Sequence, residues 1–216
     1  MVVVIDRDSY HLFQPSLLWL AVGSRQLHQI RRPLDRLRRK GIDVVTAEVT
    51  GIDPVTRTVT AGGQTLTGDA VIVALGVELA PDAIPGLAAA GHNLYSVDGA
   101  SAIKASLDSF RSGRIVVLTA TAAYKCPAAP YEAAMLIADA LRRRGVRQAV
   151  QIDLYAAEPG PMGVTGPQVS AAVRQVVESK GITYHPEHQV VSVDPSARRL
   201  VFANGTNADF DLLVYV

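Results

Sequence analysis

A single cysteine in 216 residues leaves this chain no internal disulfide framework. Charge of one sign is missing too. Twenty-one Lys and Arg against twenty Asp and Glu give a net charge of +1, so no basic field argues for nucleic acid. The short basic runs Arg31-Arg32, residues 36–40 and residues 142–144 read as solvated helix ends, where cations complement the dipole. Aromatics make up only 6%, and Trp19 and the seven tyrosines are scattered, with no stacking platform for bases. No apolar run reaches the roughly 18 residues of a membrane-spanning helix. Met1 is followed by strand-like Val2-Val3-Val4-Ile5 rather than a charged leader region, so what is present reads as neither a span nor a secretory leader. His185 and His188 flank Pro186-Glu187 in a strand-like stretch, which argues against a metal site. The last absence is the most informative. A G-x-G-x-x-G phosphate loop occurs nowhere, although 49% hydrophobic and 19% charged residues suit a globular chain long enough for two modest α/β domains.

Such a loop has an obvious place. Ile115-Val116-Val117-Leu118 has the pattern of a short buried strand, and residues 131–144 carry apolar side chains at helical spacing (Ala134, Leu136, Ile137, Ala140, Leu141) before Gly145. A strand feeding a helix in this way opens a Rossmann βαβ unit, in which glycines let the backbone approach a pyrophosphate. Here the turn is Lys125-Cys126-Pro127-Ala128-Ala129-Pro130-Tyr131-Glu132. It has no glycine, and Pro127 and Pro130 remove two amide donors. A nicotinamide dinucleotide is disfavoured there, and the only thiol of the chain stands in its place. The plain alternative for a lone cysteine is a small buried hydrophobe.

The chain also repeats itself. Lys40-Gly41-Ile42, Ile52-Asp53-Pro54, Arg57, Gly63 and Asp69-Ala70-Val71-Ile72-Val73 return as Lys180-Gly181-Ile182, Val193-Asp194-Pro195, Arg198, Gly205 and Asp211-Leu212-Leu213-Val214-Tyr215. Each copy reads as helix, strand, β-meander and closing apolar strand. Each follows a strand that ends in an acid, residues 2–6 with Asp6 and residues 152–158 with Glu158. The second copy has a further strand, loop and helix ahead of it, at about 113–150, and the first has none. The chain is therefore expected to be an incomplete piece of a longer architecture, with Val2-Val3-Val4-Ile5 left as an apolar edge prone to association.

Val4-Ile5-Asp6-Arg7, the segment from Tyr10 through Phe13-Gln14-Pro15 to Leu18, Ala74-Leu75-Gly76-Val77, residues 125–132 and residues 210–216 follow one another as in a known family. Across essentially its whole length the chain resembles the sulfide:quinone oxidoreductase and flavocytochrome c sulfide dehydrogenase branch of the two-dinucleotide-binding-domain flavoproteins, whose cousins are the type II NADH dehydrogenases. The resemblance implies FAD in the first domain. Asp6, followed by Arg7, would accept hydrogen bonds from the adenosine ribose. Phe13, Gln14 and Pro15 match the loop beside the flavin ring, Val49 the strand whose main chain meets the adenine edge, and Ala74, Leu75 and Gly76 the small turn beside the nucleotide. Cys126 matches a redox cysteine: sulfide opens a disulfide to form a persulfide, and the released thiolate passes two electrons to FAD and on to a quinone. The partner cysteine of that mechanism is not among these residues.

These readings define an α/β chain of two Rossmann-like FAD/NAD(P)-binding domains with β-meanders, the first (1–110) lacking its N-terminal β-loop-α, the second (111–216) with a degenerate NAD loop. The function they imply is FAD-dependent oxidation of a small sulfur compound with a quinone as acceptor. No nucleic acid partner is implied. A location in the cytoplasm or at the surface of the cytoplasmic membrane goes with the resemblance, any membrane contact being made through regions outside this chain; whether the protein is an oligomer the sequence leaves open. The alternatives are a type II NADH:quinone dehydrogenase-like enzyme, which should keep a glycine loop in its second domain, and an inactive flavoprotein fragment.

Overall fold

A computed structural model describes residues 1–216. In chain order the elements are β1 (Val2–Asp6), β2 (Tyr10–Leu12), α1 (Leu17–Ala21), α2 (Leu27–Ile30), β3 (Arg31–Pro33), β4 (Ile42–Thr46), β5 (Val49–Asp53), β6 (Thr58–Ala61) and β7 (Gln64–Thr67). They continue with α3 (Leu87–Ala90), β8 (His92–Asn93), α4 (Val97–Ser109), β9 (Gly113–Leu118), α5 (Ala129–Arg143), β10 (Val150–Tyr155), α6 (Pro167–Ser179), β11 (Ile182–His185), β12 (Val190–Asp194), β13 (Arg199–Phe202), β14 (Asn207–Asp209) and β15 (Leu212–Tyr215). No helix is long and apolar enough to cross a membrane. Two compact units result. One comprises Met1–Phe13 with Leu27–Leu79, the other Gln14–Gln26 with Ala80–Val216, so the division expected between residues 110 and 111 does not coincide with them.

In the second unit five parallel strands run in the order β11-β10-β9-β15-β8. Side chains alternate across a strand, and β9 uses both faces: Ile115, Val116, Val117 and Leu118 are all fully buried. Val116 and Leu118 join Tyr155, Leu213 and Tyr215 against Leu200 and Phe202 of the β12-β13-β14 meander. The other side is covered by α5, which packs on β9, β10 and β11 and buries Ala134, Ile137 and Leu141. A sheet buried on both faces explains the unbroken apolar run of β9. The short helix α1 packs against α4 and α5 and buries Leu17, Leu18, Leu20 and Ala21.

The first unit executes the same plan with fewer strands. β1 pairs only with β4, in parallel, and a β5-β6-β7 meander follows. The repeat extends to turn geometry. Asp53 Oδ1 accepts from the amides of Val55 (2.8 Å) and Thr56 (3.2 Å), and Asp194 Oδ1 from those of Ser196 and Ala197 (both 2.9 Å). Arg57 and Arg198, at the ends of these two Asx-type turns, both have positive φ, 57° and 51°.

Three expectations need correction. Asp69–Val73 forms no strand, whereas its counterpart is β15. The difference is a partner: β15 pairs with β9 on one side and β8 on the other, and within residues 1–216 the first unit has no strand equivalent to β9. Ile72 is accordingly 91% exposed where the equivalent Val214 is buried. The helix expected at residues 131–144 is α5, beginning two residues earlier, because proline is tolerated in a first turn where amides lack intrahelical acceptors. Finally, β10 ends at Tyr155, so Glu158 lies beyond the strand rather than at its end.

Candidate functional site

The turn between β9 and α5 holds Cys126. Its side chain is exposed, which removes the buried-hydrophobe alternative, and its φ of 54° is left-handed, a conformation that costs a non-glycine residue about 1 kcal/mol. The Ala129 amide donates to the Cys126 carbonyl at 3.0 Å as α5 begins. Neighbouring side chains secure the flanking backbone. The Tyr95 hydroxyl donates to the Lys125 carbonyl and lies 3.5 Å from that of Cys126. Lys125 Nζ sits 4.9 Å from the Tyr95 ring centroid and donates to Gln14 Oε1 at 3.1 Å. Gln14 and Cys126, assigned separately from the sequence, are thus brought into one neighbourhood of the second unit.

On the other side of the turn is a carboxylate that sequence reasoning did not assign to the site. Glu158 Oε1 accepts from the hydroxyls of Tyr124 and Tyr131, each at 2.5 Å, and Oε2 accepts from Thr119 Oγ1 at 2.7 Å. Thr119 Oγ1 in turn accepts from the Ala157 amide at 2.9 Å. Burial, then the hydrogen bond to Glu158 and its charge, push the Tyr124 and Tyr131 phenols far above their ordinary value, so both stay protonated. Burial foremost also raises Tyr95, with the Cys126 and Glu158 charges adding to it. Tyr184, its ring 6.1 Å from that of Tyr131, is pushed up to about 12, mainly by burial. The only sequence signal for this cluster was local: two of the seven tyrosines lie within five residues of the cysteine.

In the first unit Asp6 closes β1, and its Oδ1 accepts from the Asp8 amide at 2.9 Å. Arg7 is exposed. Val49 opens β5 opposite Ala61. Phe13 is half-exposed, its amide donating to the Ile30 carbonyl, and Pro15 is exposed in the second unit, in the short helical turn 14–16. Ala74, Leu75 and Gly76 are exposed, in the segment without regular secondary structure that follows β7. Gly76 has φ 74° with nothing within 4 Å of where a Cβ would stand, so its backbone angle and not crowding calls for glycine.

Strand register compares the two copies directly. Val2 pairs with Ile42 and Ile152 with Ile182, and Ile42 and Ile182 are repeat equivalents. Asp6 therefore corresponds to Ala156, and Glu158 falls two residues later. The second unit lacks both the glycine loop and a strand-end acid. The first unit keeps an acid, Asp6, at the end of β1 and a glycine of left-handed φ at Gly76, and within residues 1–216 it shares with the second unit the lack of a glycine-rich loop.

The family model for pyridine nucleotide-disulphide oxidoreductases matches residues 1–216. A mitochondrial sulfide:quinone oxidoreductase of Dictyostelium discoideum is 26% identical over 213 residues, covering 93% of this chain and 46% of that protein. The sulfide:quinone oxidoreductase of Aquifex aeolicus superposes with a TM-score of 0.84 at 21% identity, over 99% of this chain and 52% of that one. The NDH2 of Plasmodium falciparum in complex with NADH superposes at 0.77 and 15% identity, over 100% and 49%. The chain spans about half the length of the curated relatives it matches. With the family model matched from end to end over two copies of one nucleotide-binding plan, this chain belongs to the pyridine nucleotide-disulphide oxidoreductase family.

Proposed function

We propose that this chain belongs to an FAD-dependent oxidoreductase that carries two electrons from a small sulfur compound, by way of Cys126 and flavin, to a quinone. The observation that carries the proposal is Cys126 itself: an exposed thiol on a left-handed residue, at the turn where a nicotinamide-binding unit would place its glycine loop. Asp6, Arg7, Val49 and residues 74–76 would hold the adenosine end of FAD, with Phe13, Gln14 and Pro15 beside the ring. Flavin, when bound, accepts an electron pair from sulfur and releases it to the quinone. Overall, sulfide gives up two electrons and two protons to leave zero-valent sulfur, and the quinone takes up two of each. A disulfide opened by sulfide needs a second sulfur besides Cys126, which would come from outside these residues.

The sulfide:quinone oxidoreductases among the relatives support this reading, as does the loss of both nucleotide-binding devices in the second unit. The test is Cys126→Ser in the flavin-loaded protein. Sulfide-dependent bleaching of the flavin band should be abolished with flavin content unchanged, because a hydroxyl cannot form the persulfide. Reduction by sulfide at the parent rate would show that electrons enter elsewhere.

A further inference from the structure

We infer that Glu158 is a positioning residue whose carboxylate anchors the loop that presents Cys126, and that it does not serve as a nucleotide-ribose acid. The register argument removes the ribose role. Asp6 corresponds to Ala156, whose methyl group accepts nothing, while both oxygens of Glu158 are already engaged by hydroxyls of the chain itself. A ribose diol would have to displace donors that burial then leaves unpaired, an unfavourable exchange.

The anchoring role follows from where those hydroxyls sit. Thr119 follows the end of β9, Tyr124 lies two residues before Cys126, and Tyr131 lies in α5, five residues after it. One carboxylate just past the end of β10 therefore ties together the strand, the loop and the helix that bracket the thiol. Tyr95 and the Lys125–Gln14 contact hold the loop from other elements. A left-handed cysteine persists only where its surroundings over-determine it. Here every flanking side chain named is committed to that purpose, and the exposed thiol remains for chemistry. Hydrogen bonds from phenols to a carboxylate are stronger than those between neutral groups, and the raised phenol pKa values keep the two donors protonated across the physiological range.

The inference rests on the proposal that Cys126 carries electrons, and its test separates the two. In the flavin-loaded protein, Glu158→Ala should slow flavin reduction at saturating sulfide by about tenfold or more, as misplacement of a reacting group does. Flavin content and the half-saturating sulfide concentration should stay unchanged. Glu158→Gln should restore most of the rate, since a carboxamide oxygen can still accept from both phenols while its NH2 donates to Thr119. Amide hydrogen exchange over residues 121–128 should accelerate in Glu158→Ala and not in Glu158→Gln, a readout independent of activity. Parent-like exchange and rate in Glu158→Ala, alongside an inactive Cys126→Ser, would overturn the anchor and leave the cysteine proposal standing. Equal loss in both Glu158 variants, or saturable ADP-ribose binding by the parent that Glu158→Gln removes, would overturn it as well. If Glu158→Ala does not fold, Tyr124→Phe, which withdraws one donor, carries the same exchange comparison.

Discussion

Asp153 is a carboxylate with 1% of its side chain exposed, in the middle of β10. Its Oδ2 accepts from Arg114 Nε of β9 at 2.9 Å, and its Oδ1 pairs with His185 Nε2 of β11 at 2.8 Å. Three neighbouring strands are thus joined through one side chain, and His185 is further fixed by stacking on Tyr155 with ring centroids 4.2 Å apart. Asp153→Ala would remove both hydrogen bonds and leave a small void. Breaking a fully buried pair costs about 3–5 kcal/mol. Arg114 and His185 keep 33% and 27% exposure and can rehydrate, which lowers the expected cost to about 3 kcal/mol. For a chain of this size that corresponds to a Tm lower by roughly 6–12 °C, read by circular dichroism and calorimetry at neutral pH. Asp153→Asn keeps one acceptor and should fall by about half as much. A shift under about 2 °C for the alanine variant would show that the network does not hold the sheet together.

Two further outcomes are expected. Burial depresses the His92 pKa below its ordinary 6.5, so the native state resists protonation. Its contribution is intact above 6.5 and is lost as pH falls through that value toward the folded pKa, where the unfolded chain takes up the proton first. The parent's Tm should therefore drop more between pH 7.5 and 5.5 than that of His92→Gln, and parallel profiles would refute the assignment. NADH titrated into the flavin-loaded protein should give no rapid flavin reduction, because Ala128, Ala129 and Pro130 replace the glycine turn and Ala156 the strand-end acid; bleaching at micromolar NADH would favour the dehydrogenase alternative.

Much of this architecture was legible because local chemistry repeats. Asp53-Pro54 and Asp194-Pro195 specify the same Asx turn from the same residues, and the loss of glycine before Tyr131 was visible without coordinates. What stayed hidden depends on partners. Asp69–Val73 has the composition of a strand, yet a strand exists only against a neighbour, and none is present for it. Glu158 looked like a strand-end acid because sequence spacing does not fix where a strand stops; β10 ends at Tyr155, and the chain beyond it brings Glu158 to the hydroxyls of Thr119, Tyr124 and Tyr131. The tyrosines that hold it come from a loop and a helix, so no linear spacing encodes their convergence.

The discontinuous second unit constrains how the chain can be made and divided. Residues Gln14–Gln26 belong to it although more than fifty residues of the first unit intervene, and they bring the buried face of α1 to α4 and α5. No single cut separates the two units: cleavage between Leu79 and Ala80 would strip the second of a helix that buries Leu17, Leu18, Leu20 and Ala21. During synthesis that apolar helix emerges first and must wait for Val97–Ser109 and Ala129–Arg143 before it can be covered. Such a non-local contact slows folding and extends the time for which an apolar surface is open to wrong partners. Circular permutation that places Gln14–Gln26 beside Ala80 would make the unit continuous and shorten that interval.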